Sequence, residues 1–282
     1  MHFGSATLAA GLGLKPQHLD EARACAAEGL WFEVHPENSM IAGGPRLAWL
    51  DAVRERHPLS LHGVALSLAA DADPDAQHLE RLAQLIDRLQ PALVSEHLAW
   101  STWRGAYRPD LLPFPRTHAA LMRIAANIGR TQDRLRCAIA IENPSHYLEL
   151  DGHDYGEIEL LSELVRRTGC SLLLDVNNVF VAANNLGFAA DAYLDAFPAQ
   201  HISEIHLAGH SEDPTHGCAL LIDSHDAPVA PGVWALYERL IARIGPRPTL
   251  IERDGNVPAF DALFAERERA QHLLAATALE PA

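Results

Sequence analysis

Glu204-Ile-His-Leu-Ala-Gly-His210 closes an apolar run that begins at Ile202, with His206 inside a strand-like Ile-His-Leu. A second polar stretch, Leu221-Ile-Asp-Ser-His-Asp226, follows soon after. Asp223 and His225 are two residues apart, so in extended chain both side chains leave the same face. Carboxylate and imidazole converging on one point is what a divalent transition metal requires. Taken alone, the two stretches fit solvated loop residues equally well. The rest of the chain decides.

Working outward, seven further short apolar runs resemble 202–207: 9–14, 30–35, 59–63, 92–97, 138–143, 171–176 and 249–252. Between them lie amphipathic, Ala/Leu/Arg-rich segments that predict helices over 16–28, 45–56, 74–89, 116–130, 156–167, 189–197 and 231–243, with 258–274 closing the chain. Prolines stand at several helix starts, where proline is tolerated, and Asp73-Pro74 and Thr168-Gly169 read as cap signals. Strands alternating with helices over 282 residues give the arithmetic of a (β/α)8 TIM barrel, read as one domain over 1–282. A doubly wound sheet is the runner-up, but neither GxGxxG nor a P-loop follows the first run. The loop 100–115, carrying Trp100, Trp103, Tyr107 and Phe114, is long and aromatic and reads as a lid.

In a barrel all the C-terminal strand ends meet at one mouth. Here they carry Glu33 and His35, His62, Glu96 and His97, Glu142 and Asn143, Asp175 with Asn177 and Asn178, Glu204 and His206, and Glu252. One polar residue at a strand end is ordinary; a set on successive strands points to a shared site. His62, His97, His206 and His225 with Glu142, Asp175, Asp223 and Glu252 outnumber the three or four ligands of a mononuclear site. More than one ion is therefore expected, with Glu142 and Glu252 as bridges. Iron, manganese and zinc all suit this donor set. His35, His210, Glu33 and Glu204 read as groups that stand behind the ligands or touch substrate. Glu96 alternates to the face opposite His97 and reads as structural.

The formal charge of −15 disfavours a nucleic-acid binder, which normally shows a basic face. Cys25, Cys137, Cys170 and Cys218 have no CxxC spacing, which argues against a disulfide framework or a zinc knuckle; only Cys218 lies near the metal-like stretch. No run reaches membrane-spanning length and no signal segment opens the chain, so a soluble cytoplasmic protein is expected. Lys15 is the only lysine, so any lysine chemistry would rest on it.

The motifs Gly11-Leu-Gly-Leu14, Phe32-Glu-Val-His-Pro-Glu-Asn38, Leu59-Ser-Leu-His-Gly63, Ser95-Glu-His-Leu-Ala-Trp100, Ile141-Glu-Asn-Pro144, Leu174-Asp-Val-Asn-Asn178, Glu204–His210 and Ile251-Glu252 together resemble the multinuclear non-haem iron-dependent oxidative enzymes, the family of the methanobactin-biosynthesis oxygenase. The branch it is most similar to is the bufferin-type one, associated with copper-binding, cysteine-rich precursor peptides. The resemblance implies a xylose isomerase-like barrel holding two or three irons, cycling between Fe(II) and Fe(III). It implies O2-dependent oxidation of cysteines in a ribosomally made precursor peptide, to a sulfur-containing ring or thioamide. It also implies a partner protein that carries the peptide leader. By position the ligands would be His62, His97, Glu142, Asp175, Asn178, His206, Asp223, His225 and Glu252, with Asn177 the alternative to Asn178. Arg253 stands where an aromatic is expected, which bears on substrate fit.

The same ligand pattern is similar to apurinic endonuclease IV and to xylose isomerase. A phosphodiesterase would need a basic track for DNA, and a sugar isomerase a lysine beside the metals. A non-catalytic metal-binding protein, the third alternative, would not need ligands converging at a barrel mouth.

Overall fold

The computed structural model describes residues 8–103 and 106–278. Twelve strands follow in chain order: β1 (Ala10–Gly13), β2 (Phe32–Val34), β3 (Leu59–Gly63), β4 (Leu93–His97), β5 (Trp100–Trp103), β6 (Ala106–Leu112), β7 (Ala140–Glu142), β8 (Ser171–Asp175), β9 (Ile202–Leu207), β10 (Ser211–Asp213), β11 (Gly217–Ile222) and β12 (Thr249–Ile251). Eight of them close a barrel in the order β1-β12-β9-β8-β7-β4-β3-β2, parallel throughout. The expected (β/α)8 barrel is the architecture found.

Residue alternation sorts the strands into two faces. Leu59, Leu61, Ile141, Leu172, Leu174, Ile205 and Leu207 join the helices in one buried core. Their alternates Ser60, His62, Glu142, Asp175, Glu204 and His206 are equally buried but polar. β3 and β9 stand opposite each other in the barrel order, yet the His62 and His206 rings are 5.0 Å apart, so both point to the axis. The outer helices follow the usual logic. In the helix Ala76–Leu89, Leu79, Leu82, Ala83, Ile86 and Leu89 repeat at helical spacing and are buried. Each such leucine contributes roughly 1.5–3 kcal/mol.

The helices are α1 (Leu19–Ala24), α2 (Pro45–Arg54), α3 (Ala76–Leu89), α4 (His118–Leu135), α5 (Glu157–Thr168), α6 (Val176–Leu186), α7 (Ala190–Ala196), α8 (Pro231–Ile244) and α9 (Phe260–Ala278). Gly169 caps α5 in the left-handed conformation (φ 70°), as its sequence signal predicts. The cap of α3 differs from expectation: Asp75 accepts from His78 N at 2.6 Å, and Asp73-Pro74 lies outside the helix. Cys25 follows α1 instead of lying within it.

Three elements were not expected. α6 follows β8 without a break, its N-cap being Asp175, the last residue of the strand, and the apolar run 171–176 overlaps it at Val176 alone. β5 and β6 form an antiparallel hairpin over the stretch read as a lid. β10 and β11 form a second hairpin between β9 and the Asp223–His225 segment. Among the described residues no helix is long and apolar enough to cross a membrane.

Candidate metal centre

Register brings the donors to one height. His97 stands beside Glu142 across β4 and β7, and Asp175 beside His206 across β8 and β9. Glu252 continues the β12 ladder through its N–H, which donates to Leu207 O at 2.9 Å. Three strand ends and their loops thus supply carboxylates, and three strands supply imidazoles, to a buried space at the mouth.

The tightest group is His62, His97 and Glu142. Glu142 Oε2 lies 3.1 Å from His62 Nε2 and 3.2 Å from His97 Nε2, and the two nitrogens are 3.3 Å apart. Donors bound to one ion at about 2.0–2.2 Å sit ~3.0–3.5 Å from one another, so this triangle has the edge lengths of a coordination shell. Glu142 also groups with Asp175 and His206, and His206 with His62 and Glu252. Glu252 Oε2 is 3.1 Å from His206 Nδ1 and 3.2 Å from His225 Nδ1, while His225 Nε2 is 2.8 Å from Asp223 Oδ1. Glu142 and Glu252 therefore each touch two neighbouring groups.

Buried atoms of the centre, Glu142 Oε2, Asp175 Oδ2, Asn178 Oδ1 and His225 Nε2, make no well-formed hydrogen bond, although Glu142 Oε2 and His225 Nε2 lie within ion-pair distance of His62 and Asp223. Leaving such atoms bare costs roughly 1–3 kcal/mol each, so their convergence fits a cation-binding set. The residues present fit a metal. Neighbouring groups also set the donors. His97 Nδ1 is 2.8 Å from Gly63 O; a carbonyl only accepts, so Nδ1 carries the proton and Nε2 of the neutral ring presents its lone pair. His62 Nδ1 is held 2.8 Å from Ser95 Oγ.

Electrostatics of the metal-free site follow from packing anions and imidazoles out of water. Burial pushes the Glu142 carboxyl up, but His97 and His62 outweigh it and hold it down to about 2. Burial lowers His62, and the Glu142 carboxylate overrides this, raising it to about 10. Burial also works against charge on His225 and His206, yet Asp223 and Glu252 around the first and Glu33 around the second raise both well above the ordinary imidazole range. Burial drives Asp175 well above the ordinary carboxylate range. In the absence of a cation, protons supply the positive charge that these carboxylates require.

Asp223 and His225 meet for a reason other than the extended chain expected. β11 ends at Ile222, and His225 adopts φ 47°, in the left-handed region. Its carbonyl accepts from Asp254 N at 2.7 Å and Gly255 N at 3.3 Å, which fixes the turn from the β12 side. The two asparagines are separated by their bonds. Asn177 donates to Asp223 Oδ1 at 2.8 Å and accepts from His210 Nδ1 at 2.8 Å, so both ends of its amide are engaged. Asn178 donates to Glu142 Oε1 at 3.2 Å and to Asn143 O at 3.0 Å, leaving Oδ1 free.

Glu33 and Glu204 lie one layer deeper. Their carboxylates are 3.4 and 3.5 Å from His206 Nε2, and Glu33 Oε2 accepts from Ser60 Oγ at 2.6 Å. His35 donates from Nδ1 to His62 O at 3.1 Å and sets Nε2 3.5 Å from Asp254. His210 stacks on Phe180 and reaches the centre only through Asn177 and Asp223. A mouth cavity of about 510 Å3 is lined by His97, Asn178, His225 and Glu252, with Tyr107 and Leu111 from β6 across from them. The aromatics of the expected lid divide: Tyr107 lines this cavity, Phe114 and Trp100 pack on the core, and the Trp103 side chain lies outside the described residues.

Arg253 corrects an expectation. It is buried, pairs with Glu266 of α9 at 3.1 Å and lines neither the mouth cavity nor the cavity beside it. Cys218 is exposed on β11, and no cysteine pair forms among the described residues. Asp254 was missed by sequence reading, and Asn143 and Ser95, although quoted at their strand ends, were given no role; a polar residue one or two positions from Glu142, Glu252 or His97 was the available signal.

Comparisons with known proteins agree with this architecture. The chain is 66% identical to a UPF0276 protein of Caulobacter vibrioides over 278 residues, 98% of this chain and 99% of that one. It is 49% identical to a UPF0276 protein of Rhizobium meliloti, covering 94% and 86%. Among solved structures, a xylose isomerase-like TIM barrel from Mycobacterium smegmatis in complex with magnesium matches with a TM-score of 0.58, 13% identity and coverage of 97% and 98%. Endonuclease IV from Thermus thermophilus matches with a TM-score of 0.56, 18% identity and coverage of 95% and 99%. At such identities these structures establish the fold alone. Residues 9–275 match the RiPP precursor modification enzymes MbnB/TglH/ChrH, and the chain belongs to that family.

Proposed function

We propose that this protein is a multinuclear iron-dependent oxidase that uses O2 to modify cysteines of a ribosomally made precursor peptide in the cytoplasm, in a copper-handling context. The observation that carries the reading is the set of buried donor atoms meeting at the barrel mouth, in a chain whose family modifies such precursors. His62, His97 and Glu142 would hold one ion; Glu142, Asp175, His206 and Glu252 a second; Asn178, Asp223 and His225 a third. When bound, iron supplies an open position for the substrate thiolate and accepts the electrons that pass from cysteine to O2.

The remaining work falls to the chain itself. Glu33 and Glu204 hold the His206 ring from behind, so its other nitrogen keeps a fixed aim. Asn178 is a weak neutral donor, suited to a position that substrate can displace. His210 acts at a distance, orienting Asp223 through Asn177. His35 lines the mouth beside Asp254, and Tyr107 and Leu111 narrow it against water. A chain of net charge −15 offers little attraction to an acidic leader, so a separate partner that carries the leader is part of this reading.

The test is to purify the protein anaerobically, measure bound metal, then add O2 and a cysteine-containing precursor peptide and weigh the product. Iron in more than one equivalent with loss of hydrogen from the peptide is expected. Zinc alone, an unchanged peptide and cleavage of abasic DNA would overturn the reading in favour of a nuclease.

A further inference from the structure

A second cavity of about 320 Å3 adjoins the metal centre on the β1–β2 side and plays no part in the chemistry above. It shares His35, Asn38, Glu252 and Asp254 with the mouth cavity, so the two spaces meet along the Glu252–Asp254 ridge. Its lining combines the apolar side chains of Leu14, Leu19, Val34 and Leu50 with the cations Lys15 and Arg46 and the carboxylates Glu33, Glu252 and Asp254. At its edge stands Lys15, the only lysine of the chain, its side chain 15% exposed. The ammonium gives one hydrogen bond to Asp254 Oδ1 at 2.8 Å. An ammonium has three donors, so two N–H groups remain beyond that bond. Asp254 is itself shared, with His35 at 3.5 Å and His225 at 3.7 Å.

We propose that this cavity is a substrate subsite which takes an apolar side chain next to the cysteine being modified, and that Lys15 binds a carboxylate beside that side chain. The inference rests on the peptide-modifying reading and adds what the peptide must carry. An ammonium partly removed from water binds a carboxylate more strongly than an exposed one, because the local dielectric is lower. The cysteine would lie at the ridge, the apolar residue in the cavity, and the carboxylate back toward the ridge, where Asp254 holds the Lys15 ammonium. The carboxylate has two sources, an acidic side chain or the end of the peptide.

Three probes separate them: acetyl-Cys-Leu-Glu-amide, acetyl-Cys-Leu with a free terminal carboxylate, and acetyl-Cys-Leu-amide with neither. The metal-loaded protein is treated with an acetylating reagent under argon, and acetylation at Lys15 is followed by peptide mapping. A saturating carboxylate probe is expected to slow this reaction about tenfold, while the amide at the same concentration has little effect. Affinities should differ by a similar factor in the unmodified protein, and Lys15→Met should bring all probes to one affinity with metal content unchanged. Whichever acid protects identifies the source. Equal protection by the amide, or an affinity ratio unaltered in Lys15→Met, would overturn the proposal. Protection without any oxidation on admitting O2 would leave the subsite standing and remove the oxidase reading; oxidation indifferent to the carboxylate would do the reverse.

Discussion

The side-chain amide of Asn143 holds the backbone of Asp175 at both ends, donating to its carbonyl at 3.1 Å and accepting from its N–H at 2.9 Å. Asp175 Oδ1 in turn accepts from Asn178 N at 2.6 Å as the cap of α6, which leaves Oδ2 as the free donor of the centre. Asn143→Ala strands two buried backbone groups and is expected to destabilise the metal-free chain by about 2–3 kcal/mol. It should also weaken metal retention roughly 10–100-fold, as loss of an orienting partner does elsewhere. Urea denaturation and metal analysis check the two effects separately. A fully stable variant with normal metal content would sink the assignment.

His225 makes a sharper comparison. Its φ of 47° costs an L-residue roughly 1–2 kcal/mol that glycine does not bear. Without metal, His225→Gly should therefore be more stable than His225→Ala by about 1 kcal/mol. Both should lose metal, because neither supplies an imidazole. Thermal unfolding of the two chelator-treated variants gives the first result and metal content the second.

Stability of the metal-free chain should pass through a maximum and fall on either side of it. His62 is raised to about 10, above the ordinary imidazole value, so its contribution is complete below about 6.5 and is lost on passing toward 10. Glu142 is held down to about 2, so its contribution is present above about 4.5 and is lost on passing down toward 2. For this pair the maximum lies near pH 4.5–6.5. Metal replaces the imidazole protons, so binding should release protons and tighten with pH. Calorimetry in two buffers of different ionisation enthalpy measures the release; none would contradict the account of the charge balance.

Gly209 packs against backbone, with Ala227 O only 2.1 Å from where a Cβ would lie and Pro228 O 2.5 Å away. At Gly63 the obstruction is instead the Glu96 side chain, at 2.3 Å. Side chains yield more readily than backbone, so Gly209→Ala should lower stability by more than Gly63→Ala, the latter costing about 1–3 kcal/mol. Denaturation midpoints rank them, and the reverse order would refute the packing argument.

The barrel was legible because each strand is a short apolar run with a polar tip, and that pattern survives in sequence. His62, His97, Glu142, Asp175, His206 and Glu252 could be gathered for the same reason: register in a parallel barrel aligns strand ends. Residues brought in by other means were less visible. Asp223 and His225 return to the mouth through the β10–β11 hairpin and a left-handed turn, neither of which follows from their spacing. α6 was hidden because Asn177 and Asn178, read as polar groups at a strand end, lie in its first turn directly after β8, with no loop to announce a helix. Arg253 shows the limit of position alone, since its neighbours point inward while it turns to Glu266.

The seam of the barrel lies between β1 and β12, strands separated by nearly the whole chain. Glu252, which touches both His206 and His225, and Asp254, which holds Lys15, arrive with the last strand. A nascent chain that has emerged only as far as α8 carries every other proposed metal donor but cannot close the ring that aligns them. Contacts so distant in sequence form late. The centre is thus completed by the barrel pairing most distant in sequence, and an ion captured on the partial barrel would meet a shell that still lacks Glu252. Topology is in this way expected to hold back stable metal loading until the last strand has docked.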